Sequence, residues 1–247
     1  MLNTEITQSN PQRSEISYVQ PNGDKELKAV LLENPVVMQL VEVVKRNAAA
    51  WRELETYYTC AMMEVETKFR VLDTEFSLQY DRNPIEAIKT RLKSVESLGE
   101  KILRRGVAPS IEAIESNIFD MAGVRVICSF PEDVYMLADS FLNQDDVVLV
   151  QKKDYIKNPK ENGYRALHLV VEIPIYLHKE KRMMKVEVQL RTIAMDFWAS
   201  LEHKLRYKKE LDGELLGEIS HELYECAEAS AKLDMKMQAI RDKIEKH

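Results

Sequence analysis

The chain has 247 residues, 45% hydrophobic and 31% charged, with a formal net charge of −6, which is the makeup of a globular protein and not of a disordered one. No apolar run reaches the ~18–20 residues that a membrane span needs, and the acidic balance argues against a general nucleic-acid coat. Cys60, Cys128 and Cys226 are too few and too scattered for a disulfide framework or a zinc site. A reduced, cytoplasmic compartment with no membrane partner is therefore expected, and the start MLNTEITQSNPQRSE lacks the order of a secretory signal.

Residues 1–30 are polar and broken by Pro11, Pro21 and Asn22-Gly23, and read as a loose arm. From Pro35 to Gln79 apolar residues recur at helical spacing, as in Val37, Leu40, Val41 and Val44. A break near Asn47 or within Thr56–Thr59 would make this two helices, and Asp81-Arg82-Asn83-Pro84 ends it. In the stretch that follows, Ile88, Thr90 and Leu92 alternate with Lys89, Arg91 and Lys93, a period of two. One continuous helix is the alternative, but Ser94 suits an N-cap and Gly106 the residue past a helix end. A strand followed by a helix is the better reading. It would aim Arg91 and Lys93 the same way and bring Ser97 and Lys101 onto one helical face, next to the positive end of a helix dipole.

Later elements alternate. Val124–Phe130 is expected as a strand, Pro131–Asn143 as a helix with proline in its first turn, and Val147–Tyr155 as a strand. Ile156–Gly163 is a loop. Arg165–Ile173 and Met183–Leu190 are strands, and Ile193–Lys208 is a helix. After Asp212-Gly213, residues Glu214–Lys246 form one long helix or two. The expected architecture is α+β, close to α/β: a mixed sheet of about five strands flanked by helices. Residues 1–30 would be the arm, 31–210 the main domain, and 211–247 a helical extension that mediates self-association.

Charge is unevenly spread. Lys89–Arg105 holds six cations and two acids, and Lys152–Arg165 five cations and two acids, leaving the rest of the chain strongly acidic. Such patches suit a compact anion, such as a nucleotide phosphate, better than a long polyanion, although charge runs are more often solvated faces. Asp120 precedes the VRVICSF strand, and Glu187 lies between Val186 and Val188. A carboxylate alternating with valines is on a solvated face or in a site. Two of them on adjacent strands could hold one Mg²⁺ and leave room for phosphate oxygens. In KNPKENGYRALH, Tyr164 follows an Asn-Gly turn with Lys160, Arg165 and His168 nearby, a ring able to stack on a base while cations hold its phosphates. The chain has no GxxxxGK[ST] loop and no GxGxxG.

These ordered motifs resemble the RelA/SpoT-type alarmone synthetases in their small, single-domain form, over roughly residues 50–245. Arg91-x-Lys93-x-x-x-Ser97-x-x-x-Lys101 is similar to the family's ATP-phosphate motif. Asp120 in DMAGVRV is similar to its magnesium aspartate, with Arg125 as an arginine beside adenine. NGYRALH is similar to its guanine-nucleotide loop, with Tyr164 as the stacking ring. EVQLRT is similar to the strand that carries its catalytic glutamate, here Glu187.

The resemblance implies a nucleotidyltransferase-like fold and Mg²⁺-dependent transfer of pyrophosphate from ATP to the 3′-OH of GDP or GTP, with GMP used by some members. Glu187 would be the base, and Asp120 and Glu187 the metal ligands. Arg91, Lys93, Ser97, Lys101 and Arg125 would bind ATP. Lys160, Tyr164, His168, Gln189 and Asp196 would bind the guanine nucleotide. At Asp196 the family more often has asparagine, but a carboxylate can also accept from guanine N1–H and N2–H₂. The chain has no His-Asp dipeptide, so the resemblance implies a synthetase without the hydrolase. It also implies a homotetramer, regulated by pppGpp in some members. Two rivals are a nucleotide or single-stranded RNA sensor without catalysis, and a different metal-dependent nucleotidyltransferase.

Overall fold

The computed structural model describes residues 34–80, 82–206 and 213–246. The arm 1–30, Asp81, Tyr207, Lys208 and Asp212 lie outside them. Asn34 starts the first helix, α1 (Pro35–Arg46), by accepting the Val36 N–H at 3.0 Å. Asn47 is its C-cap, and α2 (Ala48–Tyr80) follows at once. The break falls at Asn47, and no break occurs within Thr56–Thr59. Helix α2 runs unbroken because Trp51, Leu54, Tyr58, Ala61, Val65, Phe69, Leu72 and Phe76 are all buried along one face.

Strand β1 (Ile85–Leu92) leads into α3 (Val95–Arg105). Ser94 caps α3 by accepting the Ser97 N–H at 3.3 Å, and Gly106 ends it in the left-handed region at φ 64°. A seven-residue helix, α4 (Ile111–Asn117), was not expected; fewer than two full turns is too short for a periodicity reading. Next come β2 (Ala122–Cys128), α5 (Pro131–Leu142), β3 (Val148–Asp154), β4 (Leu167–Tyr176), β5 (Lys181–Thr192), α6 (Ile193–Arg206) and α7 (Gly213–Ile244).

The predicted strands differ at their ends for identifiable reasons. β2 starts and stops two residues early, because its ladder with β1 begins where Leu92 faces Ala122. β4 continues past Ile173 through Pro174. That proline pairs in the ladder with Met183 but lies beyond Glu172, the last residue joined to β3, so one side of β4 has no ladder to break there. β5 extends to Lys181 and Thr192 at its two ends, and α7 is one helix, not two.

The five strands form one mixed sheet in the order β1-β2-β5-β4-β3. Only β2 and β5 are parallel; the other neighbours are antiparallel. Together with the seven described helices this is the expected α+β architecture. One face is apolar. Val124, Val126, Leu167, Leu169, Val171, Val186, Val188 and Leu190 are buried there with side chains of α2 and α5, including the stacked Phe69 and Phe141 rings 4.5 Å apart. Helix α7 is tied to the body along its length. Trp198 Nε1 donates to the Leu223 carbonyl at 2.9 Å, Thr192 donates to Asp234, and Arg241 pairs with Glu132. The opposite face of the sheet is where the charges gather.

Candidate active site

Residues paired across neighbouring strands project to the same side. One row across the open face therefore reads Arg91, Gly123, Glu187, Val170 and Gln151. The next row reads Lys89, Arg125, Gln189, His168 and Lys153. Two sequence patterns of period two, on β1 and on β5, are thus brought onto one surface by β2. Gly123 adds no side chain between Arg91 and Glu187, and the floor of the row is low there.

A cavity of about 170 Å³ opens on this face. Its lining includes Lys101, Asp120, Lys160, His168 and Glu187 from the predicted set, so the acid of β5 and a cation of α3 share one space. Arg105, Phe119, Lys153 and Tyr155 also line it and were not foreseen.

Asp120 lies between α4 and β2. Its Oδ2 accepts Lys93 Nζ at 3.0 Å and Lys101 Nζ at 2.5 Å. Its Oδ1 is buried with no hydrogen-bond partner. Burial raises this carboxyl, but hydrogen bonds and charge from Lys101 and Lys93 outweigh it and hold Asp120 below the ordinary range. Lys101 is pushed down by burial and by Lys93 and Arg105, against the pull of Asp120. The two cations converge as β1 and the helix that Ser94 caps would have them do. Ser97 is one turn before Lys101 and within 3.2 Å of the Ser94 hydroxyl. Arg91 is exposed on the same face, and no described hydrogen bond or ion pair joins it to this cluster.

Glu187 is half-buried. Its Oε1 is 3.3 Å from His168 Nδ1, and its Oε2 accepts Gln189 Nε2 at 2.7 Å. Burial raises it, the neighbouring Asp120 charge adds to that, and the contacts from His168 and Gln189 prevail, so its pKa is lowered. It is ionised and able to take a proton.

Tyr164 is not part of the cavity lining but stands behind His168, its hydroxyl 2.7 Å from His168 Nε2. Lys160 sits 4.7 Å from the Tyr164 ring centroid and Arg191 5.0 Å. Lys160 is also 4.8 Å from the Tyr155 ring. Burial lowers the Lys160 pKa, and the nearby Lys153 and Arg191 add to that against the pull of Glu187. Arg165 turns away to Glu228 of α7, at 2.6 Å. The turn before Tyr164 needs glycine twice over. Gly163 has φ 85°, and a Cβ there would stand 2.5 Å from Ala227 of α7.

Asp196, in the first turn of α6, is 7% exposed and accepts from Lys89 at 3.1 Å, Arg125 at 3.0 Å and Arg191 at 3.3 Å. Sequence reasoning also missed Arg191. Its signal was present: it continues the alternation of Glu187 and Gln189 by one step, past the predicted strand end at Leu190.

Among the described residues no cluster of three or more His, Cys, Asp or Glu could hold a metal ion. A divalent ion held by one or two carboxylates and completed by phosphate oxygens and water is the habit of Mg²⁺. The bare Oδ1 of Asp120, on the same cavity as Glu187, fits that donor set.

Several known proteins are similar to the chain over most of its length. The family model described as "Region found in RelA / SpoT proteins" matches residues 90–212. The GTP pyrophosphokinase YwaC of Bacillus subtilis is 42% identical over 195 residues, which is 79% of this chain and 92% of that protein. The GTP pyrophosphokinase YjbM of the same organism is 33% identical, over 79% and 90%. Among solved structures, the small alarmone synthetase 2 of B. subtilis superposes with a TM-score of 0.69 at 41% identity, covering 78% of this chain and 98% of that one. The small alarmone synthetase 1 of B. subtilis, bound to its product pppGpp, gives a TM-score of 0.70 at 32% identity, covering 79% and 98%.

Proposed function

The chain belongs to the RelA/SpoT family, and from that membership and its site we infer that it is a GTP pyrophosphokinase that synthesises the guanosine alarmones (p)ppGpp. The observation that carries this reading is one cavity that holds an ionised carboxylate, Glu187, beside the cations of α3.

In the proposed mechanism Glu187 takes the proton of the ribose 3′-OH. A new bond forms between that oxygen and the β-phosphorus of ATP, the bridge to the α-phosphorus breaks, and AMP leaves. Base catalysis of this kind contributes ~10²–10⁴-fold. Lys93 and Lys101 leave Asp120 for the ATP phosphates and, with Ser97, hold the chain in line; positioning and charge stabilisation supply most of the acceleration in phosphoryl transfer. Arg91 and Arg125, from β1 and β2, flank adenine. Lys160, His168 and Gln189 contact the acceptor, Tyr164 stacks on guanine, and Asp196 is the candidate acceptor for guanine N–H groups. Asp120 and Glu187 would hold Mg²⁺, which when bound offsets negative charge on the transferred phosphates.

The chain works in the cytoplasm in this reading, residues 31–210 are the domain that carries the chemistry, and the extension over 211–247 serves self-association. Apolar residues left exposed on α6 and α7, such as Phe197, Leu201, Leu233 and Ile244, support an assembly of several copies. Such an assembly is also where a regulatory pppGpp would bind.

The test is direct. Purified protein with ATP, Mg²⁺ and GDP is expected to yield AMP and a tetraphosphorylated guanosine, identified by mass spectrometry. Intact ATP would overturn the reading, and release of pyrophosphate in place of AMP would point to a different nucleotidyltransferase.

The turn before Tyr164 gives a second expected result. In Gly163→Ala the left-handed backbone costs about 1–2 kcal/mol, before the clash with Ala227 is counted. That cost falls on the folded state, so its ratio to the unfolded state should drop roughly five- to thirtyfold, read as a lower midpoint of chemical denaturation.

A further inference from the structure

Arg191 is 4% exposed, at the C-terminal end of β5, on the same face as Glu187 and Gln189. We propose that it is a positioning residue for the base, orienting Glu187 through two hydrogen-bonded arms that both arrive as donors. The proposal rests on the reading of Glu187 as the base and adds to it how that carboxylate is held.

The argument is one of donor direction. A guanidinium can only donate. Arg191 Nη2 donates to the Tyr164 hydroxyl at 2.6 Å and to Gln189 Oε1 at 2.9 Å. In the first arm the Tyr164 hydroxyl has two described hydrogen-bond neighbours, and because Arg191 cannot accept, the acceptor that its O–H meets is His168 Nε2, 2.7 Å away. His168 Nε2 is then an acceptor, and the ring proton sits on Nδ1, which faces Glu187 Oε1 at 3.3 Å. In the second arm the Gln189 oxygen is taken by Arg191, so its amide nitrogen is the group that meets Glu187 Oε2, at 2.7 Å. Each oxygen of Glu187 therefore meets one donor and keeps lone-pair capacity for the ribose hydroxyl.

Either alternative arrangement would work against the base. A turned Gln189 amide would set its oxygen against a carboxylate oxygen, and the other His168 tautomer would set a lone pair there. Arg191 removes both at one point. It is itself anchored by Asp196, which Lys89 and Arg125 also hold. Loss of the guanidinium thus leaves Asp196 with two cations, and the surrounding structure can persist.

The experiment uses the full chain with ¹⁵N-labelled histidine. Without substrate, the wild-type His168 ring should show the Nδ1–H tautomer. In Arg191→Met that signature should become a mixture, kcat should fall about 10²-fold, and the KM for ATP should stay as it was. Arg191→Lys, which restores a donor, should recover part of both. A wild-type ring in the Nε2–H form overturns the proposal whether or not the methionine variant folds. So does a folded Arg191→Met protein with wild-type kcat. If the wild-type protein makes no alarmone, the functional reading fails instead, and the spectrum still decides the direction of the hydrogen bonds.

Discussion

Glu187→Gln is expected to abolish synthesis while both nucleotides still bind. The replacement is nearly isosteric and leaves Val186 and Val188 in the core. What it changes is chemistry. An amide cannot take the proton of a ribose hydroxyl, and its nitrogen would have to face a donor, either His168 Nδ1 or Gln189 Nε2. Loss of base catalysis corresponds to a fall of ~10²–10⁴-fold in turnover. Single-turnover product analysis reads the rate, and calorimetry reads the affinities. A variant that turns over within tenfold of the wild type would show that another group takes the proton.

Asp120→Asn is expected to separate ATP binding from catalysis. The native carboxylate holds Lys93 and Lys101, whose side chains are only 17% and 13% exposed. Without its charge, two mostly buried ammonium groups stand together without the carboxylate that pairs with both. ATP phosphates would relieve that repulsion, so ATP affinity measured without a divalent ion should hold or tighten. Turnover should nevertheless fall by about 10²–10³-fold, the usual cost of removing one preorganised electrostatic partner. A loss of ATP affinity matching the loss of rate would mean that Asp120 serves only as a scaffold for the lysines.

How much of this was legible from residues alone depended on range. Local signals carried well. The alternation of Lys89, Arg91 and Lys93, with Ser94 and Gly106 bounding the next segment, gave the strand and helix that bring the cations together. Glu187 between two valines gave the sheet face, because period two is a property of any strand. Pairing between distant segments was not legible. Asp196 meets Lys89 from 107 residues away and Arg125 from 71, and no spacing rule reaches that far. Arg191 fell just outside the predicted strand, and a strand's end is set by its neighbours' ladders. Lys153 and Tyr155 reach the cavity only because β3 joins the edge of β4.

The contact between Gly163 and Ala227 has a consequence for how this chain can vary. Two positions 64 residues apart in sequence share one small volume, and the salt bridge from Arg165 to Glu228 fastens the same two segments. A larger residue at 227 would press on the turn as surely as one at 163. Drift in the terminal helix is therefore constrained by a loop it does not adjoin in sequence, and a chimera that exchanged only one of the two segments would inherit a mismatched joint.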